Sequence, residues 1–379
     1  MLPVASPIVQ ATHQDIERAI HALEAGHLVG LPTETVYGLA ADARNPDAIA
    51  KIYAAKQRPN THPLIVHVAH HADLTQWIMP LPPHVHAIVH RLMTAFWPGA
   101  LTLILPKHSS VLTCVTGGQS TIALRCPAHP IAQAVLAAFH KGQGGLAAPS
   151  ANRFGRISPT TAQHVYDELG DQVDMILDGG SCTVGIESTI LDLTPCLSDQ
   201  APRILRLGAI TAQQLSHVMG IMPVYEAQHH QLASSVGLPG SVRVSGTLAA
   251  HYAPSKPLHW LDVSHLTQLL ATSHHVGLWL TPDDQIHVEH ALKDFFKHNL
   301  EYANHLIPFI MPTDPTVLAQ CVYNTLRQMD QSPADVLMLS RLPASTTHSD
   351  LWQAIADRLG RAIVGSNEYH VAMLSRQVT

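Results

Sequence analysis

Seven short apolar runs between His27 and Leu193 constrain this chain more than any other feature: HLVGLP, PLIVHV, ALTLIL, TIALRC, GLAAPS, MILDGG and STILDL. Runs of this length, bounded by Gly, Pro and hydroxyl residues, read as strands. Helical stretches fall between them. HPIAQAVLAAFH carries Pro130 near its start, and TAQHVYDELG follows Ser158 and Pro159, expected as cap and first-turn residue. Such alternation builds an α/β or α+β domain around a sheet of seven or so strands.

The pattern lapses from Tyr225 to Pro254, in a stretch rich in Gly, Ser and Pro with no sustained period. It reads as a connector, and one so long is usually functional or disordered. Its tail, SGTLAAHYAP, sets His251 and Tyr252 beside Gly and Pro. From Lys256 the alternation resumes with PLHWL, HVGLWL, IPFIM and DVLMLS as strands, and with DPTVLAQCVYNTLRQMD and LWQAIADRLGRAIVG as helices. Leu318, Val322, Leu326 and Met329 recur at helical spacing. The expected organisation is a catalytic domain over 1–224, a connector over 225–255 and a smaller parallel-sheet α/β domain over 256–379.

Charged residues are 13% of the chain and the formal net charge is -6, so any site for anions is local, and the whole chain is not an electrostatic binder of nucleic acid. Five cysteines without a CxxC pair disfavour a disulfide framework or zinc ribbon. The first twenty residues lack a signal-peptide pattern and no run is long enough to span a membrane, so a cytoplasmic protein is expected. There is no GxSxG elbow and no Walker A loop; His86 and His90 share a helical spacing but have no third ligand.

Chemistry-bearing residues cluster at the ends of the apolar runs. In GLPTETVYGLAAD, Thr33, Glu34, Thr35 and Tyr37 are read as alternating at a strand end, where small hydroxyls suit a small polar ligand or bond the local backbone. Lys56 and Arg58 close a helix in KQRP, near its C-terminal dipole and a Pro-marked loop. Thr121 and Arg125 lie on one face of a strand, and an arginine there needs a salt bridge or a ligand. Ser150, Asn152 and Ser158 follow another strand in a loop with the small residues of a phosphate cradle. Ser188 opens STILDL, and Arg203 and Arg206 follow, one of them read as surface charge.

In order, GLPTETVYGLAADA, KQRPNTHPLIVHV, FWPGALTLIL, STIALRCP, APSAN with ISPT, ESTILDL and RILRLGAIT resemble the threonylcarbamoyl-AMP synthase family, the YrdC-like enzymes. SGTLAAHYAP and ADRLGRA resemble the long, two-domain form. The resemblance implies a YrdC-like twisted mixed sheet followed by a Rossmann-like α/β domain. It implies an enzyme that makes threonylcarbamoyl-AMP and pyrophosphate from L-threonine, bicarbonate or CO₂ and ATP with Mg²⁺. A separate transferase complex then modifies tRNA. Carried onto this chain, Lys56 and Arg58 are catalytic; Thr35, His67, Arg125, Ala148 and Ser188 hold threonine; and Arg58, His62, Thr121, Ser150, Ser158, Arg206 and Tyr252 surround ATP, Tyr252 as part of a lid. His62 stands where the family usually has Asn. An RNA-binding module on the same fold is the alternative, and a carbamoyl-transfer enzyme of the hydrogenase-maturation kind lacks support because zinc-type Cys pairs are absent.

Overall fold

Helix α1 (His13–Glu24) begins where Thr12 accepts from Asp15 N and the Asp15 carboxylate returns to Thr12 N, a reciprocal cap that satisfies two backbone donors. It buries Ala19 and Leu23, one turn apart, against the core. Helix α2 (Pro46–Lys56) is capped by Asn45, with Pro46 in its first turn. It ends because Gln57 turns left-handed, at φ 51 and ψ 40, which sends Arg58 N back to Tyr53 O. These elements belong to a computed structural model that describes residues 6–225, 242–246, 248–299, 304–342 and 349–377. Of the connector expected over 225–255, residues 226–241 and 247 lie outside the described residues.

The described chain divides into two compact units: residues 1–154 with 158–247, and residues 155–157 with 248–379. The first unit is built on one mixed sheet. Its strands are β1 (Ile8–Val9), β2 (Val29–Leu31), β3 (Gly38–Asp42), β4 (Ile65–Val68), β5 (Leu101–Pro106), β6 (Thr121–Arg125), β7 (Gly145–Ala147), β8 (Met175–Leu177), β9 (Thr189–Asp192), β10 (Arg203–Arg206) and β11 (Val224–Tyr225). They lie in the order β1-β8-β2-β3-β7-β4-β6-β5-β9-β10-β11. Eleven strands exceed the seven or so expected. β1 and β11 have two residues each, below the length at which alternation is visible. β3, GLAAD, is buried at every position and has no alternation to read. Four helices join α1 and α2: α3 (Pro83–Phe96), α4 (Pro130–Ala138), α5 (Ala162–Leu169) and α6 (Ala212–Met219). α1 packs on α4, and α3 on α6.

Two local expectations are corrected. β2 ends at Leu31 and pairs antiparallel with β3, so Thr33, Glu34, Thr35 and Tyr37 sit in the hairpin connection, not on the strand. Helix α5 starts at Ala162 with Thr161 as its cap, accepting from His164 N; Ser158 instead turns its hydroxyl inward to Glu187.

In the second unit β12 (Leu258–Trp260), β13 (Val276–Leu280), β14 (Leu306–Ile310) and β15 (Val336–Leu339) form a parallel sheet in the order β12-β15-β13-β14. Helices α7 (Val263–Ala271), α8 (Pro282–His298), α9 (Pro315–Gln331) and α10 (Asp350–Gln377) alternate with them. Leu318, Val322, Leu326 and Met329 of α9 are buried, as their spacing predicts. Among the described residues no helix is long and apolar enough to cross a membrane.

Candidate active site

The sheet order places Arg125, at the end of β6, between two polar neighbours. His67 on β4 is its partner in register on one side and Thr102 on β5 on the other. Arg125 is 4% exposed. Its Nη1 donates to Thr35 Oγ1 at 2.8 Å, its Nε to Gly99 O at 3.1 Å, and its Nη2 to Glu34 Oε1 at 2.6 Å. The second Glu34 oxygen accepts from Ala128 N at 2.9 Å. Thr33 Oγ1 lies 3.0 Å from Thr35 Oγ1 and donates to Val36 O, which fixes the hairpin. Burial, and then the Arg125 charge, hold His67 well below its ordinary pKa, so its ring is neutral. His67 Nδ1 is buried with no hydrogen-bond partner among the described residues. Ala148, buried beside β4, donates its backbone N–H to Ile65 O.

Hydroxyls link this group of side chains to a second group of cations. Thr102 Oγ1 and Ser188 Oγ are 2.7 Å apart. Arg206 donates to Ser188 Oγ at 3.1 Å, twice to Ser188 O at 3.0 and 2.9 Å, and to Ser245 O at 2.9 Å. The chain comes this close because residue 208 is glycine: a Cβ there would lie 2.4 Å from Thr189 N and 2.6 Å from Glu187 O. Arg58 donates to Pro63 O at 2.9 Å and, at 3.5 Å, to Ser245 Oγ. Its Nε is buried with no hydrogen-bond partner among the described residues, and burial pushes its pKa down to about 10. His62 is half-buried, its ring 5.2 Å from Phe154, and burial and then Arg58 and Arg243 hold its pKa below the usual value.

Lys56 is buried and points away from open space. Its Nζ donates to Asn152 O at 2.5 Å and to Ser150 O, tying the loop after β7 to the end of α2. Burial and then Arg58 hold its pKa well below 10.5. Ser158 Oγ donates to Glu187 Oε1 at 2.7 Å. Thr121 lines a crevice with Pro63, Ile104 and Ile190 that the segment Val242–Ser245 fills, leaving about 10 Å³, the room of one water molecule. Gln119 clasps that segment, accepting from Arg243 N at 2.6 Å and donating to Arg243 O at 3.0 Å.

His67 and Arg125 thus fall on neighbouring strands, with Thr35 reaching Arg125 from the β2–β3 connection and Ser188 bonded to Thr102 just before β9. Arg58 and Arg206 contact Ser245, and Thr121 lines the same cavity as the 242–245 segment. Tyr252 belongs to the second unit, where it is buried at φ 63 and its ring stacks 5.4 Å from Tyr323. Arg203, read with Arg206 as candidate or surface charge, pairs with Asp192 at 2.7 Å. Sequence reasoning assigned no role to Glu34, Thr102, Glu187, Gln119 or Ser245. A signal existed only for Glu34, an acid between two threonines in a chain of low charge.

Buried cations lined with hydroxyls along the interior strands of a mixed sheet suit an enzyme that handles a small acid together with phosphates. Comparison with known proteins narrows the class. A Sua5/YciO/YrdC family model described as "Telomere recombination" matches residues 21–208, and "Threonylcarbamoyl-AMP synthase, C-terminal domain" matches residues 210–363. The chain is 35% identical over 357 residues to threonylcarbamoyl-AMP synthase of Bacillus subtilis, covering 92% of this chain and 93% of the relative. It is 38% identical over 233 residues to the enzyme of the same name from Pyrococcus abyssi, 62% of this chain and 64% of that one. The crystal structure of P. abyssi Sua5 complexed with L-threonine superposes with a TM-score of 0.74 at 28% identity, covering 95% of this chain and 97% of that one. The chain belongs to the threonylcarbamoyl-AMP synthase family.

Proposed function

We infer that the chain joins L-threonine, bicarbonate or CO₂ and ATP into threonylcarbamoyl-AMP and pyrophosphate. The observation that carries this reading is the hydroxyl link Thr102–Ser188, which sets Arg125, a grip for an amino-acid carboxylate, beside Arg206, a cation for phosphates. Arg125 holds the threonine carboxylate with help from Thr35, Ser188 and the backbone at Ala148. Neutral His67 offers a ring nitrogen to the substrate's polar groups. A pocket that bonds the substrate hydroxyl rejects valine more strongly than serine.

The threonine amine adds to CO₂, losing a proton, and gives a carbamate. A carbamate oxygen attacks the α-phosphorus of ATP; the bond to the β-phosphate oxygen breaks and pyrophosphate leaves. No protein nucleophile is needed, so catalysis consists of positioning and charge stabilisation. Arg58 and Arg206 face the phosphates, with Thr121, Ser150, Ser158 and His62 around the nucleotide. Lys56 acts through the Ser150–Asn152 loop that it ties down. Mg²⁺ would come with ATP, held by the triphosphate, and would neutralise part of its charge. The Val242–Ser245 segment touches two of these nucleotide residues, Arg58 and Arg206, through Ser245. The product passes to a transferase complex that modifies adenosine in tRNA.

The test is pyrophosphate release by the purified chain with ATP and Mg²⁺, with and without threonine and bicarbonate. Release that requires both co-substrates supports the reading; release indifferent to threonine sinks it.

A further inference from the structure

Arg58 and Arg125 are both buried in the first unit, yet their charges are matched differently. Arg58 donates to a carbonyl and a hydroxyl and has no acidic partner among the described residues. Arg125 has Glu34 Oε1 at 2.6 Å from its Nη2, with the two side chains 5% and 10% exposed. Glu34 is itself held from both ends: its second oxygen accepts from Ala128 N at 2.9 Å, and its carbonyl accepts from Val184 N at 2.7 Å. Of the five N–H groups a guanidinium carries, Arg125 gives one each to Gly99, Thr35 and Glu34, which leaves two for a ligand.

The pairing decides which anions the fork accepts. A lone buried arginine next to a nucleotide site is a strong trap for any phosphate or sulfate. With Glu34 in place the pair is neutral. A zwitterionic amino acid brings its own cation and leaves the pocket neutral, whereas a dianion leaves uncompensated negative charge in a dry site, which is costly. Resting on the reading of the site given above, we propose that Glu34 is a positioning and specificity-determining residue: it orients and neutralises Arg125 so that the fork takes a zwitterionic amino acid and leaves phosphate-bearing anions to Arg58.

The experiment is calorimetry on the full chain with L-threonine, with sodium sulfate, and with threonine in the presence of sulfate. It compares the unaltered chain with Glu34→Gln, which keeps the shape and loses the charge, and with Glu34→Asp, which keeps the charge. Glu34→Gln is expected to weaken threonine binding about tenfold, the scale of one charge-assisted contact, and to make sulfate compete with threonine. Glu34→Asp is expected to exclude sulfate as the unaltered chain does, and it carries the comparison if the Gln variant does not fold. Threonine affinity within about twofold of the unaltered chain in Glu34→Gln, less than one hydrogen bond is worth, with no new sulfate competition, overturns the proposal. Sulfate competition in Glu34→Asp equal to that in Glu34→Gln overturns it as well. If the unaltered chain takes up no threonine, the reading of the function falls instead, and sulfate uptake by Glu34→Gln alone still reports whether Glu34 masks Arg125.

Discussion

Replacing Arg58 by Met removes a cation that the fold holds at a cost. Burial lowers its pKa from 12.5 to about 10, which is equivalent to roughly 3 kcal/mol against the charged form. Against this stands the bond to Pro63 O at 2.9 Å, worth roughly 1.5–3 kcal/mol as a charge-assisted hydrogen bond. The contact to Ser245 Oγ, at 3.5 Å, adds little. Met keeps the apolar contact with Phe154, whose ring centre lies 5.7 Å from the guanidinium carbon. The terms nearly cancel, so Arg58→Met is predicted to change stability by less than about 1.5 kcal/mol. Its kcat/KM for ATP should fall by at least about a hundredfold, the loss of one or two charged contacts to phosphate. Urea unfolding and pyrophosphate release on the same preparation measure the two effects. An undiminished kcat/KM for ATP, or a stability loss above about 3 kcal/mol, would falsify the reasoning.

Other changes separate the remaining groups. Arg125→Met leaves the Glu34 carboxylate buried and should cost roughly 3–5 kcal/mol of stability; urea unfolding within about 1 kcal/mol of the unaltered chain would contradict the pairing. His67 is held well below 6.5 by burial and then by Arg125, so the unfolded chain takes up its proton first as pH falls. Its contribution is therefore intact above about pH 6.5 and is lost below it, by at most about 1.4 kcal/mol per pH unit. The unfolding free energy of His67→Asn should decline less steeply from pH 7 to pH 5.5, by up to about that slope, and parallel declines would show that His67 is not held neutral. His62→Asn should keep or improve ATP affinity, because the ring is depressed by burial and by two arginines and gains nothing from its charge; a KM for ATP raised about tenfold would mean a dedicated role for His62.

What the sequence made legible follows from physical range. The strands β5 and β13 were readable as unbroken, mainly apolar runs of strand length, and the helix α9 because burial of one face imposes a period that survives in the residue order. Arg125 was visible because a charge inside TIALRC needs a partner, but not that the partner is Glu34, brought there by the β2–β3 hairpin from 91 residues away. Thr102 in ALTLIL looks like any β-branched strand residue; only the register of β5 between β6 and β9 gives its hydroxyl a role. Lys56 was found as a cation near Arg58, while its direction, toward the carbonyls of Ser150 and Asn152, depends on how α2 meets the loop after β7. Ser158 was read as a helix cap from a local pattern that Thr161 fulfils better. Glycine at 208 is explained only by the backbone it lies against.

The central claim is that one crevice joins an amino acid, a one-carbon unit and the α-phosphate of a nucleotide. It is tested most directly by following ¹³C-labelled bicarbonate by mass spectrometry in a reaction with threonine, ATP and Mg²⁺. The account predicts an adenylate that contains threonine and the labelled carbon, formed in step with pyrophosphate. An adenylate of threonine without the label, or hydrolysis of ATP with no adenylate at all, would contradict it.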